Sequence, residues 1–345
     1  MRRRLAALFV CALTIAALTG STSASPPTPK AAPPGSALAP TLTAGQHATV
    51  TYCNHERARI TEPATLHGPA PAAVYVHGGS WISGNYNSGG FLIKTIGPAL
   101  AAKGFVVVSL DYRLGPEARW PDQIVDVKCA VRYLRAYATH LHIDPNEIGA
   151  WGQSAGGHLV ALLGTAATTA GWDIGAYTNE SSKVEAVVDM AGPSDLLTLG
   201  HQGYSSAVTK NFVRLLGPVP HSALAADMLA ASPVTYVAPG DPPFFLLHSS
   251  DDEIVYLQQS QELSWDLGAN DVPNQLLIVD GGGHGFDNPG EQPTEAGITQ
   301  AVADFFIRTL VQHRPIADTT EGSLAPGATA NTGNTANTAN TGINN

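Results

Sequence analysis

The stretch Ile148-Gly149-Ala150-Trp151-Gly152-Gln153-Ser154-Ala155-Gly156-Gly157-His158-Leu159-Val160-Ala161-Leu162-Leu163 decides how the rest of the sequence is read. It opens as a short apolar run, passes through G-x-S-x-G, and continues as a second apolar segment with helical character. A strand that turns this abruptly into a helix forces Ser154 into a strained backbone conformation. Only small neighbours let the flanking segments pass each other. The serine hydroxyl then projects above the edge of a sheet. In a chain with 35 glycines the motif alone is a weak signal; the strand before it and the helix after it give it weight.

Working outward, β-branched and apolar runs alternate with helical periods. The runs are Ala72 to Val76, Phe105 to Leu110, Ile148 to Trp151, Val184 to Met190, Phe244 to Leu247 and Leu276 to Val279. Nearly continuous apolar runs predict strands buried on both faces, joined by parallel βαβ crossovers. The clearest helix is Pro121 to Ala138, where Ile124, Val127, Val131, Leu134 and Ala138 recur at three- and four-residue steps after a starting proline. Further helices are expected at 91–102, 155–167, 255–267 and 297–311. The fold class is therefore α/β, doubly wound, with a mostly parallel central sheet and helices on both faces.

A second glycine cluster, His77-Gly78-Gly79-Ser80-Trp81, follows the strand Ala72 to Val76 and so reaches the same sheet edge. Backbone N–H groups of Gly79, Ser80 and Ala155 are candidates for an oxyanion hole, which meets the charge of a tetrahedral intermediate with fixed donors. A serine at neutral pH is a poor nucleophile, so a histidine must take its proton and a carboxylate must orient that histidine. Of the histidines after Ser154, His284 stands out, because Gly281-Gly282-Gly283-His284-Gly285 is a flexible loop just after a strand. His158, four residues along the helix that starts at Ser154, is expected to point away from the site. The acid should lie at the end of another strand. Asp251 and Asp252 follow Phe244 to His248; Asp189 competes, with Asp195 behind it.

These motifs together resemble the α/β-hydrolase superfamily, and within it the esterases similar to hormone-sensitive lipase and to bacterial feruloyl-esterase-like hydrolases. The likeness runs through His77-Gly-Gly-Ser-Trp81 with Gly84, Asp111-Tyr-Arg113, Trp120-Pro121, Asp126-Val-Lys128, Ile143-Asp144-Pro145, Gly152 to His158, Ser232-Pro233 and Gly283-His284-Gly285. The resemblance implies hydrolysis of carboxylic esters through an acyl-enzyme on Ser154. It prefers Asp252 over Asp251, since Asp252-Glu-Ile-Val255-Tyr256 keeps the family's spacing to a Val-Pro pair but has tyrosine for proline. Asp111 and Arg113 are structural by the same comparison. The same triad chemistry serves an amidase, formamidase or peptidase, and a hydrolase fold can also survive as a binding module.

The ends of the chain read differently. Arg2-Arg3-Arg4, the apolar run Leu5 to Leu18 and small residues to Ala24 have the layout of a secretory signal, cleaved near residue 24. The run is shorter than the ~20 residues of a membrane span. Residues 25–40 form a Pro/Ala/Ser-rich linker, 41–315 the hydrolase domain, and 316–345 a Thr/Asn/Gly/Ala-rich tail expected to be disordered. Residues 192–243 are too long for a simple connection and are expected to form a small lid, shaping a substrate pocket together with Trp81 and the loop 85–90. An oxidising compartment allows Cys53 and Cys129 to pair, and two buried thiols are equally compatible with the sequence. The formal net charge of −10 disfavours nucleic acid and anionic membrane surfaces. Neutral small-molecule or polymer-linked esters suit it better. No cofactor is expected, and no histidine pair has metal-ligand spacing.

Overall fold

The computed structural model of the protein describes residues 39–167, 170–199, 215–217 and 221–316. The signal-like stretch, all of the linker but its last two residues, and the tail from 317 lie outside them. So do residues 200–214 and 218–220 of the expected lid.

Eight strands form one sheet among the described residues. They are β1 (His47–Thr51), β2 (Arg57–Thr61), β3 (Ala70–Val76), β4 (Val106–Leu110), β5 (Ile143–Gln153), β6 (Ala186–Met190), β7 (Phe244–Ser249) and β8 (Asn274–Val279). Their order across the sheet is β1-β2-β4-β3-β5-β6-β7-β8. From β4 through β8 every neighbour is parallel, with Val74 opposite both Val108 and Ala150. β1 and β2 add an antiparallel flank. Those two strands have no apolar run to betray them: β2 alternates, turning Arg57 and Arg59 outward and burying Ala58 and Ile60.

The buried strands serve both faces because side chains alternate. Ala72, Val74 and Val76 of β3 pack on one side, with Ile124, Val127, Val131 and Leu134 of α2 (Asp122–Ala136) and Leu159, Leu162 and Leu163 of α3 (Ala155–Thr165). Ala73 and Tyr75 pack on the other, with Leu100 of α1 (Gly97–Ala102) and the C-terminal helix that carries Ile298, Val302, Phe305 and Phe306. Each large apolar side chain buried this way contributes about 1.5–3 kcal/mol. Together the two layers hold the C-terminal ends of β3, β5, β7 and β8 at one edge, where an open α/β sheet presents its site.

Cys53, in the turn between β1 and β2, is bridged to Cys129 of α2, with Cα atoms 6.2 Å apart. Beside it, Asp126 of α2 accepts from Asn54 Nδ2 at 2.8 Å and from Arg113 Nε at 2.7 Å. Within 192–243, the described elements are α4 (Leu196–Leu199), α5 (His221–Ala230) and a 3₁₀ turn, Pro233–Tyr236. This segment is fastened to α6 (Gln258–Ala269), since Ser194 N and Asp195 N both donate to Gln259 Oε1 at 2.9 Å. α7 (Glu295–Phe306) runs on into a π-helical turn, Ile307–Val311, the last described element. No helix among the described residues is long and apolar enough to cross a membrane.

Candidate active site

Ser154 joins β5 to α3 with φ 59° and ψ −122°, left-handed backbone that non-glycine residues rarely adopt. Its N–H donates to Met190 O on β6 at 2.9 Å. Two absences of a side chain make the turn possible. A Cβ on Gly152 would stand 2.6 Å from the carbonyl of Gly156, and one on Gly156 would overlap the carbonyl oxygen of Val76 on β3.

His284 reaches Ser154 from the loop after β8. Its Nε2 lies 2.9 Å from Ser154 Oγ, and its Nδ1 lies 2.7 Å from Asp252 Oδ2. A carboxylate only accepts at neutral pH, so Nδ1 carries the proton and Nε2 is left to accept from the serine hydroxyl. Asp252, after β7, is itself held: its Oδ1 accepts from Ile254 N at 2.8 Å and Val255 N at 2.9 Å. Burial opposes its charge, but hydrogen bonds from His248 and His284 outweigh that and hold its pKa well below the usual carboxylate range.

The other carboxylates are used elsewhere. Asp251 is exposed and accepts from Ser249 Oγ at 2.6 Å and Gly283 N at 2.8 Å, bracing the loop that carries His284. Asp189 is buried at the end of β6, with Oδ1 accepting from Gly192 N at 2.9 Å. Burial pushes its pKa up to about 7, against the opposing pull of His248 and the Gly192 N–H. Asp195 caps α4 through Leu197 N at 2.8 Å. Neither is hydrogen-bonded to His284.

The loop after β3 lies against this turn. Gly79, Ser80 and Trp81 have φ of 109°, 55° and 61° in succession. Gly79 O accepts from Ile82 N and Ser83 N, both at 3.1 Å, and Tyr112 Oη donates to His77 O at 3.0 Å. None of the described hydrogen bonds uses the N–H of Gly79, Ser80 or Ala155. Trp81 departs from the expectation of a pocket-lining residue. It is 3% exposed and its indole N–H donates to His158 Nδ1 at 3.1 Å. The ring belongs to the packing behind the turn, because a buried indole needs an acceptor and His158 supplies it. The His158 imidazole is turned away from Ser154 Oγ and His284, toward the loop after β3 and Ala231 O.

Three participants escaped the sequence reading. Gln153 Nε2 donates to His284 O at 2.6 Å, across 131 positions of chain. His248, buried at the end of β7, places Nε2 2.7 Å from Val255 O and 3.4 Å from Asp252 Oδ2. The third is the His158–Trp81 pair. A histidine in an all-apolar strand is the one local signal that could have drawn attention to His248. The other two pairings join distant segments.

A sequence model of the BD-FAE family matches residues 59–267, more than half of the chain, taking in the loop after β3, Ser154 and Asp252. Esterase LipC of Mycobacterium tuberculosis is 34% identical over 227 residues, 64% of this chain and 54% of LipC. Among solved structures, a truncated carbohydrate esterase from gut microbiota superposes with TM-score 0.68 and 29% identity, over 78% of this chain and 98% of that one. An acetyl ester-xyloside bifunctional hydrolase from Caldicellulosiruptor lactoaceticus gives TM-score 0.60 and 25% identity, over 72% and 87% of the two chains. The chain spans about half the length of the curated relatives it matches first.

Proposed function

The chain belongs to the BD-FAE family of α/β-hydrolase esterases, and from that premise we propose that it hydrolyses carboxylic esters through an acyl-enzyme on Ser154. The observation that carries the reading is the continuous hydrogen-bonded chain from Ser154 Oγ through His284 to Asp252, 2.9 Å and 2.7 Å long in its two links.

His284 Nε2 takes the hydroxyl proton as Ser154 Oγ attacks the ester carbonyl. Asp252 stabilises the imidazolium that results and keeps its ring in place. The carbonyl oxygen, now negative, meets the N–H groups of Gly79, Ser80 and Ala155, which are fixed before the charge develops. Collapse expels the alcohol, which collects its proton from His284. Water then repeats the sequence on the acyl-enzyme and releases the acid. The names of the relatives favour an ester over an amide, and the net negative charge favours an uncharged substrate, either small or attached to a polymer. The Arg2 to Ala24 pattern and the Cys53–Cys129 bridge both support action outside the cytoplasm, where a disulfide persists.

The test is intact-mass analysis after treatment with a fluorophosphonate, with Ser154→Ala beside wild type. A single adduct is expected on wild type and none on the variant, whose ester turnover is lost while its circular dichroism is unchanged. Folded wild-type protein that takes up no adduct and cleaves no ester would overturn the reading. The same spectrum reads the mass of the mature chain and so checks cleavage near residue 24.

A further inference from the structure

His158 and Trp81 are buried partners 77 residues apart, and their arrangement is asymmetric. His158 Nε2 lies 2.7 Å from Ala231 O, so that nitrogen must carry the hydrogen. Nδ1 is therefore a bare acceptor, and Trp81 Nε1–H fills it at 3.1 Å. The rings meet edge to face, 5.2 Å apart at 84°. Burial pushes the pKa of His158 down to about 4, so the imidazole keeps this donor–acceptor pattern through the neutral range. One side chain on the first turns of α3 thus links the loop after β3 to the chain just beyond α5.

The loop needs such an anchor. Ser80 and Trp81 are consecutive non-glycine residues with left-handed backbone, which is strained against relaxed alternatives. Such a turn persists only where its surroundings over-determine it. Trp81 is held at its carbonyl, which accepts from Gly115 N at 2.9 Å, and at its ring, which His158 holds. Release of the ring frees the turn to relax, and the N–H of Ser80, one residue earlier, moves with it.

We propose that His158 is a positioning residue: through Trp81 it fixes the oxyanion donors at Gly79 and Ser80, and through Ala231 it ties their geometry to the segment that follows α5. The inference rests on the esterase reading, because a donor site matters only where an oxyanion forms. The His158 imidazole bonds Trp81 and Ala231 and none of the Ser154 Oγ–His284–Asp252 links, so replacing it leaves the nucleophile and base intact and weakens stabilisation of the tetrahedral state.

The test compares His158→Leu, His158→Gln, Trp81→Phe and Trp81→Phe/His158→Leu in the full chain. For each, kcat/KM is measured on one acyl ester, together with Ki for an aryl trifluoromethyl ketone, whose adduct with a serine carries an oxyanion. His158→Leu and Trp81→Phe are expected to lower kcat/KM and raise Ki in parallel, by roughly 10- to 100-fold, less than the full loss of a donor. The double variant should be no worse than the poorer single variant. Gln keeps an acceptor beside a donor and should recover to within about 5-fold of wild type. If His158→Leu does not fold, Trp81→Phe and His158→Gln carry the comparison. Unchanged Ki with reduced kcat/KM, or losses that add in the double variant, would overturn the proposal. Ser154→Ala run alongside separates the two failures. If it keeps turnover, the esterase reading falls and takes this inference with it; if it is inert while the His158 and Trp81 variants match wild type, only the inference falls.

Discussion

Ser154 follows β5, which has β3 on one side and β6 on the other, whereas Asp252 and His284 follow β7 and β8, the last two strands of the sheet. The central end is shaped by backbone. Gly152 and Gly156 let β5 and α3 pass against β3, and the serine's N–H is spent on β6. The peripheral end is shaped by side chains and loop amides: Asp252 is pinned by two N–H groups, and the His284 loop is tied through Gln153, through Gly283 to Asp251, and through Gly282 to Ser249. One end depends on atoms being absent, the other on donors being present. Errors at the first should cost the fold, and errors at the second should cost the chemistry.

The largest effect is expected at the peripheral end. In Asp252→Asn, an amide nitrogen turned to His284 would oppose Nδ1–H, donor against donor, and favour the wrong tautomer. A fall in kcat of roughly ten-thousand-fold is expected, far beyond what any loss of folded protein accounts for. Asp251→Asn keeps an acceptor oxygen for Ser249 and Gly283, and should stay within about 10-fold of wild type. Equal losses in the two variants would move the acid off Asp252 and break the contrast.

At the central end the loss should appear as stability. Gly156→Ala drives a methyl group into the Val76 carbonyl, backbone against backbone, where neither segment can yield. More than about 3 kcal/mol is expected from urea unfolding, or no soluble protein at all. Gly281→Ala is the matched control in the His284 loop. Its φ is 73° but nothing lies within 4 Å of the added carbon, so it should cost only about 1–2 kcal/mol of backbone strain. Similar costs at both positions would mean that the two ends are not built differently.

The same contrast governs what could be read from the sequence. The elbow at Ser154 and the glycines at 78 and 79 are local patterns, because backbone constraints act on neighbours in the chain. The parallel core was legible for the same reason, each strand being a continuous apolar run. β1 and β2 were not, since a five-residue strand with Arg57 and Arg59 facing outward carries no such run. Trp81 was misplaced because its burial depends on an acceptor 77 residues away. The Gln153 bond to the His284 carbonyl and the Cys53–Cys129 bridge are likewise products of topology. Composition allowed that bridge and could not choose it over two buried thiols.

Asp189 supplies the finest test, because it sits between the two ends. Its carboxyl fills a slot walled by Gly157 of α3 and Gly192, where a Cβ on either would overlap Oδ1, and Oδ2 finds no partner among the described residues. In the unfolded chain this carboxyl ionises near pH 4. Folded, it holds its proton to about pH 7 because burial penalises the charge. Between those values the unfolded state binds fewer protons, so stability falls as pH rises through the window and levels off above it. The amide of an Asp189→Asn variant has no such proton to lose. The advantage of that variant over wild type should therefore grow from pH 4 to 7 and plateau by pH 8, by roughly 2–4 kcal/mol at about 1.4 per pKa unit. Glu185 and Asp241, which burial also raises, to about 7 and about 6, titrate in both proteins and cancel in the difference. A difference that does not vary with pH would mean that Asp189 is ionised in the folded protein throughout. Its negative charge would then stand beside the elbow and act on His248, and the boundary between a backbone-built end and a side-chain-built end would have to be moved.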